Sequence, residues 1–315
     1  QMWRADLERG FLESVCDGVA NIRGIARSPD QRYFFHQHTA ADGAWEIVRT
    51  EIATFEQRVF PLEGAPLPRS MGTVGPDGNV FMYATMFEVH DYGVVRCDLE
   101  SDTWDVIHRG TEISNAHPQI EPGRGEVCLI QHNRGCRYDE QARTIRSVGP
   151  EGATLYIIDA VTGEKRELPV GKPHTGPCQG HQCWIGDTGE VLFTTAVDES
   201  TRGNLLRICP GEDRAQVVAD GYYFAHPNAS RDGRFFVSDA RHDDGVLLVV
   251  GSIETGRTRV LCDSRATLGS PQYTHPHPYF SPDSRWVIFN SDGTGIPHVC
   301  AAQVPDGFLD ELAEG

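Results

Sequence analysis

The segment "QYTHPHPYFSPDSRWVIFNSDG" (272–293) sets His275 and His277 two residues apart, three residues after Gln272. In an extended chain, side chains at i and i+2 leave on the same side. Two imidazoles on one side, with an amide carbonyl close by, suit a divalent cation in tetrahedral or octahedral geometry. A plainer role also fits these residues, because a His-Pro step can cap a turn at a strand entrance. None of the nine cysteines lies near them or forms a Cys-x-x-Cys pair, which argues against a structural zinc site.

The elements that would position these residues come from a repeat. A short strand, a turn rich in Pro, Asp or Gly, and an alternating apolar strand recur along the chain. The phrase reads "GIARSPDQRYFFHQH" (24–38), "GTVGPDGNVFMYATMFEVH" (72–90) and "HPQIEPGRGEVCLIQH" (117–132). It returns as "HQCWIGDTGEVLFTTA" (181–196), "HPNASRDGRFFVSDA" (226–240) and "HPYFSPDSRWVIFNSD" (277–292). A third strand follows each, and usually a fourth. Four short strands about 45 residues apart predict an all-β fold, a β-propeller, with residues 1–315 as a single propeller domain. Six repeats are visible, and "MWRADLERGFLESVCDG" reads as the last two strands of a further blade. Seven blades are expected, six being the alternative. Helix is confined to a turn or two in "DGFLDELAEG".

Aligned on the turn, the last four repeats carry His117, His181, His226 and His277 at one register, where the first two have Gly24 and Met71. A second set closes the second strand: His36, His38, His90, His132 and the segment from Asp239 to His242. Antiparallel pairing brings the start of the first strand beside the end of the second. Both sets are therefore expected at one mouth of the propeller channel, with His38, His90, His117 and His132 as candidate substrate-binding residues.

The formal charge of −17 argues against nucleic acid as a partner. No apolar run reaches the roughly 18 residues of a membrane-spanning helix. The scattered cysteines mostly sit in apolar strand patterns, as reduced thiols in a reducing compartment do, and the expected localisation is cytoplasmic. An anionic ligand would then need a locally positive site made by arginines, histidines or a metal.

The segment 272–305 resembles the last blade of the oligogalacturonate lyases, polysaccharide lyase family 22, with its Q-x-T-H-P-H-P-x-F-[ST]-P signature and F-x-S-D strand end. "GHQCW" (180–184) is similar to the family's T-H-E-F-W segment, and "AHPNASRDG" (225–233) to its S-H-L-x-S-x-x-D-G segment. Residues 110–305 carry the resemblance; residues 1–110 share only the repeat. The resemblance implies a seven-bladed propeller, a divalent metal, manganese, on His226, Gln272, His275 and His277, and His181 as the Brønsted base. The family arginine that precedes the base by about 25 residues falls here at Thr154. Arg134, Arg137, Arg143 and Arg146 in the neighbouring loop are the candidates to replace it, Arg134 and Arg137 being taken as catalytic.

The implied chemistry is β-elimination from a uronic-acid oligosaccharide, as in pectin degradation. A cation on the carboxylate stabilises the enolate-like charge that develops when the adjacent C–H loses its proton. A neutral histidine can take that proton. Histidine and glutamine with open positions fit Mn²⁺, and Ni²⁺, Zn²⁺ or Fe²⁺ as well. Two other readings stay open: a metal-dependent isomerase, epimerase or lyase on another oxidised sugar, which the absent arginine favours, and a non-catalytic sugar-binding propeller.

Overall fold

A serine that ties a turn opens three of the repeats. In "SPDQRY", "SRDGRF" and "SPDSRW", the hydroxyls of Ser28, Ser230 and Ser281 donate to the aspartate two residues on, at 2.5–2.6 Å. Each hydroxyl also accepts the backbone N–H of the residue five positions on, Tyr33, Phe235 or Trp286, at 2.8–3.0 Å. The fourth residue of the turn has positive φ: Gln31 (67°), Gly233 (71°) and Ser284 (57°). Gly233 is therefore the relaxed version of a turn that the other two repeats hold at positive φ with the same backbone and side-chain hydrogen bonds.

The computed structural model describes residues 2–16, 24–39, 44–197, 203–242, 245–269 and 272–314. The chain divides into two compact units, 1–167 and 168–315. In the first unit, one antiparallel sheet runs Ala26–Arg27, Tyr33–Thr39, Trp45–Glu51, Gln57–Phe60, and a second Thr73–Val74, Val80–Glu88, Asp91–Asp98, Thr103–Gly110. A third comprises Gln119–Ile120, Val127–His132, Thr154–Asp159 and Lys165–Glu167; a small hairpin, Arg137–Tyr138 with Thr144–Arg146, is inserted between its second and third strands.

The second unit repeats the scheme. Its first sheet is Cys178–Trp184, Val191–Thr195, Leu205–Ile208, Gln216–Ala219. In the next, Tyr223–Phe224 and Asn228–Ala229 both pair with Phe235–His242, followed by Gly245–Ser252 and Thr258–Asp263. The last is Tyr279–Phe280, Trp286–Ser291, His298–Gln303. Within each unit the short innermost strands of successive sheets lie side by side, and apolar faces pack sheet on sheet. Phe224, Phe236 and Leu192 fill one such layer; Val237, Leu248 and Val287 fill the next. The terminal helix Phe308–Ala313 adds Phe308 and Leu312 to that last layer.

These sheets are propeller blades, and the described residues contain six of them. Seven is corrected to six, because Met2–Asp6 and Phe11–Cys16 pair only with each other as a two-stranded sheet. The eight described cysteines are free thiols, four of them buried. No described helix is long and apolar enough to cross a membrane.

Ser230 is fully buried, and removing its hydroxyl leaves the Phe235 N–H without an acceptor. Ser230→Ala should lower stability by about 1–3 kcal/mol, read as a reduced urea midpoint at unchanged m-value. An unchanged midpoint would show that the turn does not depend on this bond.

Candidate metal centre

The second unit brings three of the sequence-predicted ligands together. His226, His275 and His277 each present a ring nitrogen, and these nitrogens all lie within 4.8 Å of one another. The ring centroids of His226 and His277 are 3.8 Å apart, and those of His226 and His275 are 5.7 Å apart. The ring of His181 lies 4.1 Å from that of His226. Gln272 opens the short 3₁₀ turn Gln272–Thr274 just before His275; its side chain lies outside the described residues.

Backbone irregularities aim these rings. Phe224 faces Ala240 and Asn228 faces Val237, so the inner strand carries one residue more than its partner across His226. The strand bearing His181 is likewise out of register between Cys178 and Gln182. Bulges of this kind redirect a side chain while the flanking pairs stay in place. His277 reaches the cluster differently, at φ 42°. His275 and His277 are thus not an extended pair, which corrects the expectation from their spacing. Their rings are nevertheless nearly parallel, 14° between planes and 6.0 Å apart. Asn290 holds the segment, donating its N–H to Pro276 O (2.8 Å) and its amide to His275 O (3.3 Å).

A buried carboxylate fixes the central ring. Asp239, 1% exposed, accepts the backbone N–H of His226 at 2.9 Å and its Nδ1–H at 2.9 and 3.0 Å. The tautomer so set leaves Nε2 of His226 with a free lone pair. Nδ1 of His275 is buried with no hydrogen-bond partner, and so is Nδ1 of His181. Burial first, and then the proximity of His226, pushes the His181 and His277 imidazoles down to about 4. The rings are therefore neutral at neutral pH. Three imidazole nitrogens, one ring orphaned at Nδ1 and one oriented by a carboxylate, fit a divalent cation. No carboxylate belongs to the cluster itself, so a bound cation would keep much of its charge for a ligand.

A cavity of about 360 Å³ opens onto the cluster, and Gln179, His181, Tyr223, Asp239, Arg241 and His275 are among its lining residues. Asn204, fully buried, supports this wall: it donates to Phe224 O (2.7 Å), accepts the Phe224 N–H (3.0 Å), and reaches Gln179 Oε1 at 3.5 Å. The sequence register places the segment from Asp239 to His242 at the channel mouth without pairing Asp239 with His226. Antiparallel pairing brings the two strand ends near each other, but the extra residue across His226 hides the specific pairing.

The remaining predicted residues belong to the first unit. His38 contacts Glu46 at 3.2 Å, and His132 contacts Glu112 at 3.0 Å. His90 accepts the Tyr138 N–H at 3.3 Å, and His117 precedes its blade's first strand at φ 43°. Thr154 is buried and faces His132 across the sheet. Arg134 donates to the carbonyls of Gly152 (3.0 Å) and Glu151 (2.7 Å), so its guanidinium ties the loop together. Arg137 lies exposed on the inserted hairpin. Arg143 pairs with Asp139 at 2.7 Å, and Arg146 donates to Gly135 O at 3.0 Å.

No family model matches the chain. Over 145 residues it is 29% identical to an oligogalacturonide lyase of Pectobacterium atrosepticum, covering 40% of this chain and 37% of that protein. Over 171 residues it is 25% identical to an oligogalacturonate lyase of Dickeya dadantii, covering 49% and 44%. The matched region thus spans less than half the length of these curated relatives. The fold is similar to that of an oligogalacturonate lyase of Vibrio parahaemolyticus, with a TM-score of 0.76 and 18% identity over 97% of this chain and 84% of that one. It is similar as well to an oligogalacturonate lyase in complex with manganese, at 0.74 and 18% over 97% and 83%. By sequence, part of the chain is similar to oligogalacturonate lyases, and the fold is a β-propeller like that of the solved lyases.

Elemental analysis of protein purified from metal-supplemented medium should find about one divalent ion per chain. His275→Ala should lose it. Asp239→Asn should keep the fold and weaken metal affinity roughly 10- to 100-fold. Equal metal content in wild type and His275→Ala would remove His275 from the ligand set.

Proposed function

We propose that this protein is itself a metal-dependent lyase that cleaves acidic uronic-acid oligosaccharides by β-elimination. The observation that carries the reading is the juxtaposition of His181 with the cluster of His226, His275 and His277. In the relatives' family, a base and a metal act on one substrate carboxylate and its neighbouring C–H. Gln272, one turn before His275, completes the ligand set, and manganese, which a relative of the same fold binds, is the favoured ion. When bound, the cation supplies the positive charge that stabilises the enolate-like charge on the substrate carboxylate.

His181 is the base in this reading. It accepts the proton from C5 of the uronide, the C4–O bond breaks, a C4=C5 double bond forms, and the leaving oxygen takes a proton from water. Its desolvated ring is unprotonated at neutral pH and so can accept. The ring of His181 lies against that of His226 and lines the cavity at the cluster, which supports a catalytic role over a capping one. Asp239 acts through His226, holding the ring so that Nε2 faces the ion. His38, His90, His117 and His132 remain proposed contributors to substrate binding, and Arg134 and Arg137 proposed catalytic partners, Arg134 with its guanidinium already engaged by the loop.

His181→Ala should retain metal and fold and lose turnover by a factor on the order of 10² to 10⁴. The assay follows ultraviolet absorbance of the 4,5-unsaturated product from oligogalacturonate. Turnover at the wild-type rate in a metal-replete His181→Ala variant would rule out this base. A wild-type protein that takes up metal and yields no unsaturated product would instead favour chemistry on another oxidised sugar.

A further inference from the structure

The family arginine is missing at Thr154, yet the second unit places an arginine on the wall of the histidine cavity. We infer that Arg241 is a specificity-determining residue that binds a second carboxylate of the substrate, on the sugar next to the one that reacts. The inference rests on the lyase reading and deepens it.

Three observations carry it. Asp239 and Arg241 stand at i and i+2 on the strand Phe235–His242, so their side chains leave the same face. Since Asp239 reaches His226 on that face, Arg241 projects toward the cluster, while Ala240 between them is buried in the core on the opposite face. Second, Arg241 and Tyr223 are cross-strand partners, and both line two cavities. One is the 360 Å³ cavity that holds His181, His226 and His275. The other is a more open one of about 590 Å³ bordered by Val197, Tyr222 and His242. The Arg241–Tyr223 pair is the shared wall, so a chain of sugars seated at the metal would cross it into the second cavity. Third, no described residue forms a hydrogen bond or ion pair with the Arg241 guanidinium, whereas Tyr223 is held by Gln179. A guanidinium fork matches a carboxylate in a bidentate pair. A protein of net charge −17 has particular use for such a local cation when its ligand is a polyanion.

The test compares wild type, Arg241→Gln and Arg241→Lys on digalacturonate and on digalacturonate methyl-esterified at the non-reacting sugar. Metal content is checked first and should be equal in all three. For the diacid, Arg241→Gln should raise KM roughly tenfold to hundredfold with kcat changed only a few-fold, and Arg241→Lys should recover part of the loss. For the monoester, wild type and Arg241→Gln should differ little. An active wild type matched by Arg241→Gln on the diacid overturns the inference and leaves the lyase reading standing. If wild type turns over neither substrate, the lyase reading fails, and calorimetric binding of digalacturonate decides the inference separately. Binding weakened in Arg241→Gln sustains it; equal binding, or none in wild type, overturns it.

Discussion

The site depends on one buried contact, the carboxylate of Asp239 against His226. A carboxylate that is 1% exposed is costly unless every strong acceptor direction is used. Here both N–H groups of His226 converge on it, one from the backbone and one from the ring. The same contact that makes the burial tolerable also fixes which nitrogen of His226 is protonated. Losing it would free the central ring of the cluster, around which the rings of His181, His275 and His277 are all packed.

That contact exists because of where the propeller breaks its own regularity. Each blade pairs short strands over tied turns, and the core residues Phe224, Phe236 and Ala240 lock the frame of the fifth blade. The inner strands of two neighbouring blades then carry irregularities at His181 and His226, and the third supplies His277 at a left-handed φ. A frame with local departures at three equivalent positions concentrates the imidazoles of His181, His226 and His277, and the segment after the 3₁₀ turn adds His275. Asn204 and Asn290 anchor the adjoining segments to backbone groups, so the aim of the rings is set by hydrogen bonds as well as by packing.

Much of this was legible in the sequence. The period of the repeat gave the propeller, the shared register of His181, His226 and His277 gave the cluster, and "THPHP" gave two of its members. What was hidden follows from backbone detail. The i, i+2 rule places His275 and His277 together only for extended chain, and the φ of His277 brings them together by another route. A bulge of one residue is invisible to periodicity, so Asp239 could not be matched to His226 by counting alone. Arg241 lies inside the segment from Asp239 to His242 that the repeat register places at the channel mouth, but only the two cavities on either side of it single it out. The blade count failed because a two-stranded hairpin has the same pattern as half a blade.

The central claim is that the three imidazoles surround a metal with Asp239 standing behind them. Anomalous diffraction at the manganese edge, on crystals grown with Mn²⁺, tests it directly. The account predicts one strong peak within direct coordination distance of His226 Nε2, His275 and His277, with Asp239 still on His226 Nδ1. No peak at the cluster, or an ion bound through the Asp239 carboxylate instead, would contradict it.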